Sequence, residues 1–235
     1  DIAVVGGSTA LTWDSAGTVY SFDLNTGELI GRIPGIPGVI NVLSYSKNGR
    51  YLAIGSSTGA LRVIDLQTKA NATQNNDCPT ATTAAEFLTD DRLITACLDG
   101  KIRLYDQHFS VVALFQLANG HRPWRLAVSP DESQVVVGTL DGSDLYLLKI
   151  ADLAQTKILV PKPKNSGTLT SVAWGNSGIF AAGTYGDNSG EKLIHHWNLE
   201  TGQQRDFPIS KDSITDLIFT KPQELAFATA EASIG

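Results

Sequence analysis

The sequence predicts an all-β protein, a β-propeller assembled from consecutive four-stranded antiparallel units. Three observations support this fold class: a unit that recurs about every 42 residues, period-2 alternation of apolar and polar residues within it, and turn signals between the alternating runs. The clearest copy is the Asp-Gly turn Asp99-Gly100 followed by the alternating run Lys101–Asp106. The turn glycines recur at intervals of 42, 41, 42 and 48 residues, at Gly17, Gly59, Gly100, Gly142 and Gly190.

A repeat of this size indicates one body of stacked blades, because a four-stranded sheet is too small to bury its own faces and needs neighbours to cover them. We therefore expect a single domain over residues 1–235. The approximate units are 1–35, 36–78, 79–119, 120–164, 165–210 and a partial sixth at 211–235. With five full blades and part of a sixth, the chain is expected to be a fragment of a longer propeller.

The individual strands are predicted from apolar alternation bounded by glycine, proline and asparagine turns. In the first unit these are Ile2–Val5, Ala10–Trp13, Thr18–Phe22 and Leu29–Ile33. In the second they are Val39–Ser46, Tyr51–Gly55, Leu61–Asp65 and Lys69–Asn76. The last of these is polar and poor in β-branched residues, so we expect it to be short or frayed at an outer edge.

The later units follow the same order of strands. The third contains Thr82–Leu88, Arg92–Ala96, Ile102–Tyr105 and Val111–Leu117, and the fourth Trp124–Ser129, Gln134–Gly138, Leu145–Leu148 and Thr156–Val160. The fifth contains Leu169–Trp174, Ile179–Gly183, Leu193–Asn198 and Gln203–Phe207, and the sixth begins with Ile214–Thr220 and Glu224–Thr229. No stretch is typical of a long amphipathic helix.

Composition excludes several classes of protein. With 42% hydrophobic and 18% charged residues the chain is ordinary and globular. A net charge of −6 argues against a nucleic-acid partner, and the lack of a run of about 18 apolar residues argues against a membrane partner. A cytoplasmic location is favoured. The two cysteines, Cys78 and Cys97, lie on different predicted elements, so no disulfide framework is expected and Cys97 is interpreted as a small buried hydrophobe.

Several short motifs resemble those of the WD40-repeat family, and the resemblance extends over essentially the whole chain. They are Gly120-His121, Val128–Asp131, Thr139–Gly142, Tyr105-Asp106 and Trp197-Asn198. The resemblance implies a structural set of hydrogen-bonded side chains in the fourth unit, with His121 bonded to Asp141 across a turn and Thr139 beside them. The family's fourth member, a Trp on the third strand, falls near Leu147 or Leu148. Asp99 is expected to be the structural turn aspartate of the third unit.

The resemblance also implies where a partner binds. The loops between successive blades share a face with the loops between second and third strands, and partners of the family commonly use that face. On it we place Arg122, Trp124, Tyr185 and Asp187 as candidate partner-binding residues. Trp, Tyr and Arg are enriched at binding hot spots. The other interpretation is that Trp124 only packs between blades.

We find no constellation for catalysis, no cofactor motif and no metal site. His195 and His196 are adjacent on a strand and point to opposite faces, so they cannot chelate together; His196 is expected in the core and His195 on the other face. The loop from Asp187 to Glu191 offers oxygen ligands but lacks EF-hand spacing. We interpret it as a solvated hairpin loop rather than a Ca²⁺ site.

The function predicted is that of a non-catalytic scaffold that binds a protein or peptide partner. The alternative is a ligand-sensing regulatory propeller of a bacterial multidomain protein, attached to a caspase-like protease or a nucleotide-binding switch domain. A third class, an enzyme working at the central channel, needs converging acids or metal ligands on the inner strands. The first-strand starts do not supply such a set; they offer Asn41, Thr83, Arg125, Thr170 and Thr215.

Overall fold

The computed structural model describes residues 2–5, 8–162, 167–187, 189–221 and 223–230. Over these residues the regular structure is antiparallel β-sheet, apart from one 3₁₀ turn at Ala118–Gly120. Five sheets have four strands each, joined in chain order, and the sixth has two strands within the described residues. The fold class predicted from the sequence, an all-β, WD40-like propeller with five full blades and a partial sixth, is confirmed.

The first three blades contain twelve strands. The first blade consists of β1 (Ile2–Val5), β2 (Thr9–Trp13), β3 (Val19–Asp23) and β4 (Leu29–Ile33). The second consists of β5 (Ile40–Tyr45), β6 (Tyr51–Ser56), β7 (Leu61–Asp65) and β8 (Ala70–Asn75). The third consists of β9 (Thr82–Phe87), β10 (Leu93–Cys97), β11 (Lys101–Tyr105) and β12 (Val111–Gln116).

The remaining strands repeat the pattern. The fourth blade consists of β13 (Pro123–Val128), β14 (Gln134–Thr139), β15 (Leu145–Lys149) and β16 (Gln155–Leu159). The fifth consists of β17 (Ser171–Gly175), β18 (Gly178–Ala182), β19 (Lys192–Trp197) and β20 (Gln204–Ser210). The sixth contains β21 (Ile214–Lys221) and β22 (Glu224–Thr229).

Strand β8 differs from its expected form. It runs over six residues and pairs with β7 from Leu61↔Asn75 to Asp65↔Ala70, although its residues are polar and largely exposed. Backbone hydrogen bonds to β7 therefore hold this strand without an apolar face of its own. The expectation of a short or frayed strand was wrong because it relied on side-chain composition alone.

The chain forms two compact units, Asp1–Asp99 with Arg103–Ala113, and Gly100–Ile102 with Leu114–Gly235. The prediction of one continuous domain stays a prediction. Within the first unit, Leu11, Leu52 and Ile64 belong to a core shared by the first two blades, and Phe87 and Tyr105 to a core shared by the second and third. Within the second unit, similar cores join the fourth blade to the fifth and the fifth to the sixth.

A backbone hydrogen bond recurs where one blade leads to the next. The carbonyl of the turn glycine between second and third strands accepts the N–H of a buried apolar residue that follows the fourth strand. We call this bond the blade lock. Among the described residues it occurs three times: Ile36 to Gly17 at 3.1 Å, Leu117 to Gly100 at 2.8 Å and Leu169 to Gly142 at 3.1 Å. The donors are 3%, 2% and 0% exposed, so each lock also buries an apolar side chain.

The second blade carries a disulfide at the corresponding place, which corrects the expectation from the sequence. Cys78 follows β8, and its carbonyl lies against the turn glycine Gly59. Its sulfur is bonded to that of Cys97 at the end of β10. Because Cys97 pairs with Thr82 at the start of β9, the chain just before β9 comes beside it. The cysteines do lie on different elements, as the sequence indicated, but the β9–β10 hairpin brings them together.

Candidate partner-binding surface

The loop that enters the fourth blade is fixed to the turn after β14 through Arg122 and Asp141. The Arg122 backbone N–H donates to Asp141 Oδ1 at 3.1 Å, and Arg122 Nε donates to Oδ2 at 2.9 Å. In return, the Leu140 N–H donates to the Arg122 carbonyl at 2.8 Å. The Arg122 side chain is 49% exposed, so its guanidinium is both oriented by the pair and open to solvent.

The carboxylate of Asp141 remains ionised at this position. Burial by itself raises the pKa of Asp141, but the hydrogen bonds and charge of Arg122 outweigh it, and the pKa lies below its usual range. Two parallel hydrogen bonds to one carboxylate fix both the orientation of the arginine side chain and its distance from the carboxylate. Asp141 therefore acts as the orienting partner of Arg122.

The side chains of His121 and Thr139 converge on Gly142, but their bonds differ from those implied by the family resemblance. His121 Nδ1 is hydrogen-bonded to the hydroxyl of Tyr146 at 3.0 Å, and the ring stands edge-on to the Tyr146 ring. Thr139 Oγ1 donates to the Gly142 carbonyl at 3.1 Å. The described hydrogen bonds of Asp141 go to Arg122, so the expected His121–Asp141 bond is corrected to a His121–Tyr146 bond.

Trp124 occupies a β-bulge at the start of β13. The pairing with β14 shifts register between Pro123 and Arg125, which leaves Trp124 as the extra residue. Adjacent strand residues normally point to opposite faces, whereas a bulge redirects one of them. Here the Arg125 guanidinium comes to lie over the Trp124 ring, 5.5 Å from its centroid, and Trp124 is half-buried. Sequence reasoning missed Arg125 as a neighbour of Trp124, because period-2 alternation separates them.

Tyr185 is not on the surface, contrary to the placement made from the sequence. It is 1% exposed and belongs to the core between the fourth and fifth blades. Its ring stands edge-on to His195 with centroids 4.8 Å apart. The loop after β18 folds back instead of projecting, because the Leu193 N–H donates to the Tyr185 carbonyl at 3.1 Å. Tyr185 is therefore a packing residue.

Asp187 lies in the loop between β18 and β19, where it closes a turn. Its Oδ1 accepts hydrogen bonds from the Ser189 N–H at 2.8 Å, from Ser189 Oγ at 2.6 Å and from the Glu191 N–H at 3.0 Å. These bonds, that of the Ser189 hydroxyl foremost, lower the pKa of Asp187. Its carboxylate accepts hydrogen bonds from within the loop, as expected for a solvated hairpin loop. Asn188 of this loop lies outside the described residues.

Backbone bonds connect this loop region to the fourth blade. The Leu169 N–H donates to the Gly142 carbonyl, and the Thr184 N–H donates to the Thr168 carbonyl at 3.1 Å. The turn that holds Asp141 and the segment that leads to Tyr185 are thus joined through residues 167–169. Of the four candidate residues, Arg122 and Trp124 lie together on one loop and strand start and are at least partly open to solvent. Tyr185 is buried, and Asp187 is partly exposed but closes its own turn.

The two adjacent histidines occupy positions opposite to those expected. His195 is 0% exposed, with Nδ1 hydrogen-bonded to Asp206 Oδ1 at 2.7 Å and Nε2 buried without a hydrogen-bond partner among the described residues. His196 is partly exposed, stacks on Phe180 and is bonded through Nε2 to the Ser177 carbonyl at 3.0 Å. His195, not His196, is therefore the core histidine.

One strand position carries a polar side chain in all five full blades. It lies three residues before the polar residue at the end of the third strand, and alignment on that residue would have shown it; the five are Asp23, Asp65, Asp106, Lys149 and Asn198. Its occupants and partners are Tyr20 with Asp14, Arg62 with Asn71, Arg103 with Asp99, Tyr146 with His121 and His195 with Asp206. The Arg103–Asp99 pair is the most enclosed of the charged examples, with an N–O distance of 2.7 Å and side chains 5% and 10% exposed. Asp99 thus holds Arg103.

No group of three or more His, Cys, Asp or Glu side chains within the described residues has the arrangement to hold a metal ion. None of the helical structure in that part of the chain is long and apolar enough to cross a membrane.

Comparison with known proteins gives two distant relatives. No family model matches the chain. It is similar to the U3 small nucleolar RNA-associated protein 4 homolog of Homo sapiens, with 29% identity over 153 residues that cover 63% of this chain and 21% of that protein. The protein of the same name from Mus musculus is 26% identical over 153 residues, with the same coverage. The chain spans about a fifth of the length of these curated relatives. At this modest identity and coverage the two relatives are compatible with the WD40-like fold of the described residues.

Proposed function

We propose that this chain is a non-catalytic scaffold that binds a protein or peptide at the surface formed by Arg122, Trp124 and Arg125. The observation that carries the proposal is the bulge at the start of β13, which places the half-buried Trp124 ring under the Arg125 guanidinium. Arg122 lies on the same segment and is held by Asp141. Trp and Arg are the residue types that most often supply the binding energy of an interface.

Rigidity supports binding at this surface. Arg122 is fixed by side-chain and backbone bonds to the turn after β14, and Trp124 is fixed by the strand that it interrupts. A partner that meets side chains already in place loses less conformational entropy on binding. The surface is therefore suited to a folded protein or an extended peptide that presents an apolar group to Trp124 and an acidic group to the arginines.

The experiment compares variants of the immobilised chain in the capture of proteins from extracts of its source cells. Trp124→Ala and Arg122→Ala are expected to lower the recovery of specific partners at least about tenfold, which corresponds to the loss of about 1.4 kcal/mol or more of binding energy. Lys149→Ala and Lys157→Ala, which replace cations elsewhere on the fourth blade, serve as controls. If the surface variants recover the same proteins in the same amounts as the controls, this surface is not the binding site.

The relatives suggest a setting for the scaffold. Their printed name associates them with a small nucleolar RNA, and we extend to this chain the proposal that its protein partner belongs to a ribonucleoprotein assembly. The net charge of −6 favours contact with proteins of such an assembly over direct contact with RNA. An electrophoretic mobility assay with single-stranded RNA is expected to show no shift at physiological salt, and a salt-sensitive shift would contradict this. No observation favours the bacterial regulatory alternative.

A further inference from the structure

A cavity of about 500 Å³ lies between the first and second blades, and we call it the first cleft. Its floor is the core that the two blades share, where Leu11, Leu52 and Ile64 are 4%, 1% and 4% exposed. The less buried part of the floor consists of Ile33, Tyr45 and Leu66, which pack against that core. The volume and the apolar floor fall in the range typical of small-molecule sites.

The polar lining of the first cleft is cationic. Arg32, Arg62 and Lys69 line it, and none of the residues that line it is an aspartate or a glutamate. Arg62 donates to neutral acceptors, from Nε to Asn71 Oδ1 at 2.6 Å and from Nη1 to the Pro34 carbonyl at 3.2 Å. No carboxylate among the described residues forms an ion pair with any of the three.

The three cations of the first cleft lie together on a molecule whose net charge is −6. Several other arginines at its surface are paired with a carboxylate: Arg50 with Asp65, Arg92 with Asp90 and Arg122 with Asp141. Positive charge gathered beside an apolar floor attracts a ligand that carries an anionic group on a hydrocarbon body. An unpaired cation is also a stronger partner for such a group than one that is already neutralised.

We propose that the first cleft binds an anionic amphiphile of medium chain length, with its hydrocarbon on the floor and its carboxylate among Arg32, Arg62 and Lys69. Tyr45 supplies a further contact. A tyrosine hydroxyl is protonated at neutral pH and can donate to the carboxylate, and burial raises the pKa of Tyr45 further. This site is independent of the surface at Trp124, because the first cleft belongs to the first unit of the chain and Trp124 to the second.

The probe is decanoate, titrated into the full 235-residue chain and followed by calorimetry and by the fluorescence of Trp13, which packs against the floor of the cleft. Decylammonium tests the sign of the charge, and acetate tests the need for the hydrocarbon. A short acidic peptide, acetyl-Asp-Leu-Glu-Leu-amide, tests whether a peptide is preferred. We expect saturable binding of decanoate, at least about tenfold weaker binding of decylammonium, and no measurable binding of acetate.

Variants locate the site. The triple variant Arg32→Gln, Arg62→Gln, Lys69→Gln is expected to weaken decanoate binding at least about tenfold, and Lys149→Gln is expected to leave it unchanged. Arg62 also donates hydrogen bonds to Asn71 and Pro34, so the triple variant can be less stable than the unaltered chain. If it melts at a lower temperature, the single variant Lys69→Glu tests whether the cations bind decanoate. Decanoate should also raise the melting temperature of the unaltered chain and not that of the triple variant.

Three results would overturn the proposal. One is the absence of decanoate binding, and another is binding that the triple variant and Lys69→Glu leave unchanged. The third is binding of the acidic peptide, sensitive to the same variants, without binding of decanoate. In that case the first cleft is a peptide site and not an amphiphile site.

Discussion

At His195 the chain encloses an ionisable ring completely. Asp206 bonds one ring nitrogen, while the other is buried without a partner among the described residues. Burial lowers the pKa of His195 below its ordinary value of about 6.5, even though Asp206 acts in the opposite direction. The folded protein therefore holds this histidine neutral, and the unfolded chain competes for the proton in mildly acidic solution.

The free energy of unfolding is expected to fall as the pH drops below about 6.5. A histidine with a lowered folded pKa stabilises fully above its unfolded pKa, and this contribution is lost as the pH falls toward and through the folded pKa. One group contributes a slope of at most about 1.4 kcal/mol per pH unit. Urea unfolding between pH 7 and pH 5 should show a shallower slope for His195→Phe than for the unaltered chain. Equal slopes would mean that His195 is not held neutral.

The Tyr146 hydroxyl and the His121 ring are both expected to contribute to stability. Tyr146→Phe removes the bond to His121 Nδ1 and keeps the ring, so it should lower the free energy of unfolding by about 1 kcal/mol. His121→Ala should cost about 1–3 kcal/mol, since it also removes packing against Tyr146. Chemical denaturation of both variants measures this. An unaltered stability in Tyr146→Phe would show that water replaces the bond without loss.

Sequence reasoning at this scale succeeded where a residue type decides the outcome and failed where backbone geometry does. Arg122 was expected to be exposed, and it is. Tyr185 was misplaced because the loop after β18 turns inward, which no residue type signals. Tyr146 was missed because the family resemblance directed attention to Leu147 and Leu148. A tyrosine hydroxyl reaches the same histidine from one position earlier on the strand.

Between strands, a close backbone approach explains the glycine at two of the turn positions, Gly17 and Gly59. Gly59 has φ +84, and a Cβ there would meet the carbonyl oxygens of Cys78 and Thr80. Gly27, at φ +73, has nothing within 4 Å of that position. The two glycines share a left-handed conformation and differ in the space around them. They therefore form a matched pair for substitution.

Gly27→Ala is expected to cost about 1–2 kcal/mol of unfolding free energy, because alanine disfavours the left-handed conformation. Gly59→Ala should cost at least about 2 kcal/mol more, because its methyl group must displace backbone atoms. Thermal and urea unfolding of the two variants tests the difference. Equal losses would mean that the backbone near Cys78 moves aside easily.

The disulfide stabilises the segment that joins the second and third blades. Cys78 and Cys97 are separated by 19 positions, and closing a loop of that size contributes about 3 kcal/mol in the chain-entropy account. The double variant Cys78→Ala, Cys97→Ser should lose about that amount in urea unfolding. The unaltered chain in a reducing agent should unfold at the same lower urea concentration. If reduction leaves the transition in place, the bond does not constrain the unfolded chain.

The period-2 pattern predicted the strands well because alternation reports which face is buried, and the inner strands each bury one or both faces. The fourth strands carry a weaker signal, since backbone bonds hold them and their side chains are exposed, as in β8. The disulfide had no signal in spacing, because the two cysteines meet only after β9 and β10 have paired. The bulge at Trp124 was likewise hidden from any periodic analysis.

For the molecule as a whole, the pKa shifts of the carboxyl groups and of His195 all make the folded protein more negative in mild acid. Hydrogen bonds are the foremost cause that lowers the pKa of five carboxyl groups: Asp14, Asp65, Asp131, Asp187 and Glu224. These groups stay negative to lower pH, and buried His195 stays neutral. The folded protein is therefore more negative in mild acid than its sequence, with an isoelectric point near 5.1, would indicate.

Isoelectric focusing of the native protein should give a band at lower pH than focusing of the same protein in urea. The expected order follows because unfolding releases the hydrogen bonds and exposes His195, and both changes raise the isoelectric point. If the native and the urea bands focus at the same pH, the lowered pKa values of the carboxyl groups and His195 are contradicted as a set. The arginine and tyrosine shifts do not enter, since those groups do not titrate near pH 5.

The order of the blades could be predicted from the sequence because the repeat itself encodes it. The first cleft could not. Its three cations lie at Arg32, Arg62 and Lys69, on segments that belong to two units of the repeat, and they face one cavity only after those blades pack together. The alternation of apolar and polar residues within one unit does not predict which side chains of the next unit will face it.

The blade lock has a consequence for how such a chain diverges. Its donor and acceptor are main-chain atoms, so a duplicated unit inherits the fastening whatever side chains later change around it. What substitution must preserve is a turn glycine and a buried apolar neighbour at the right distance, which Ile36, Leu117 and Leu169 provide here. The residues of the short motifs can therefore change while the spacing of the repeated units is kept.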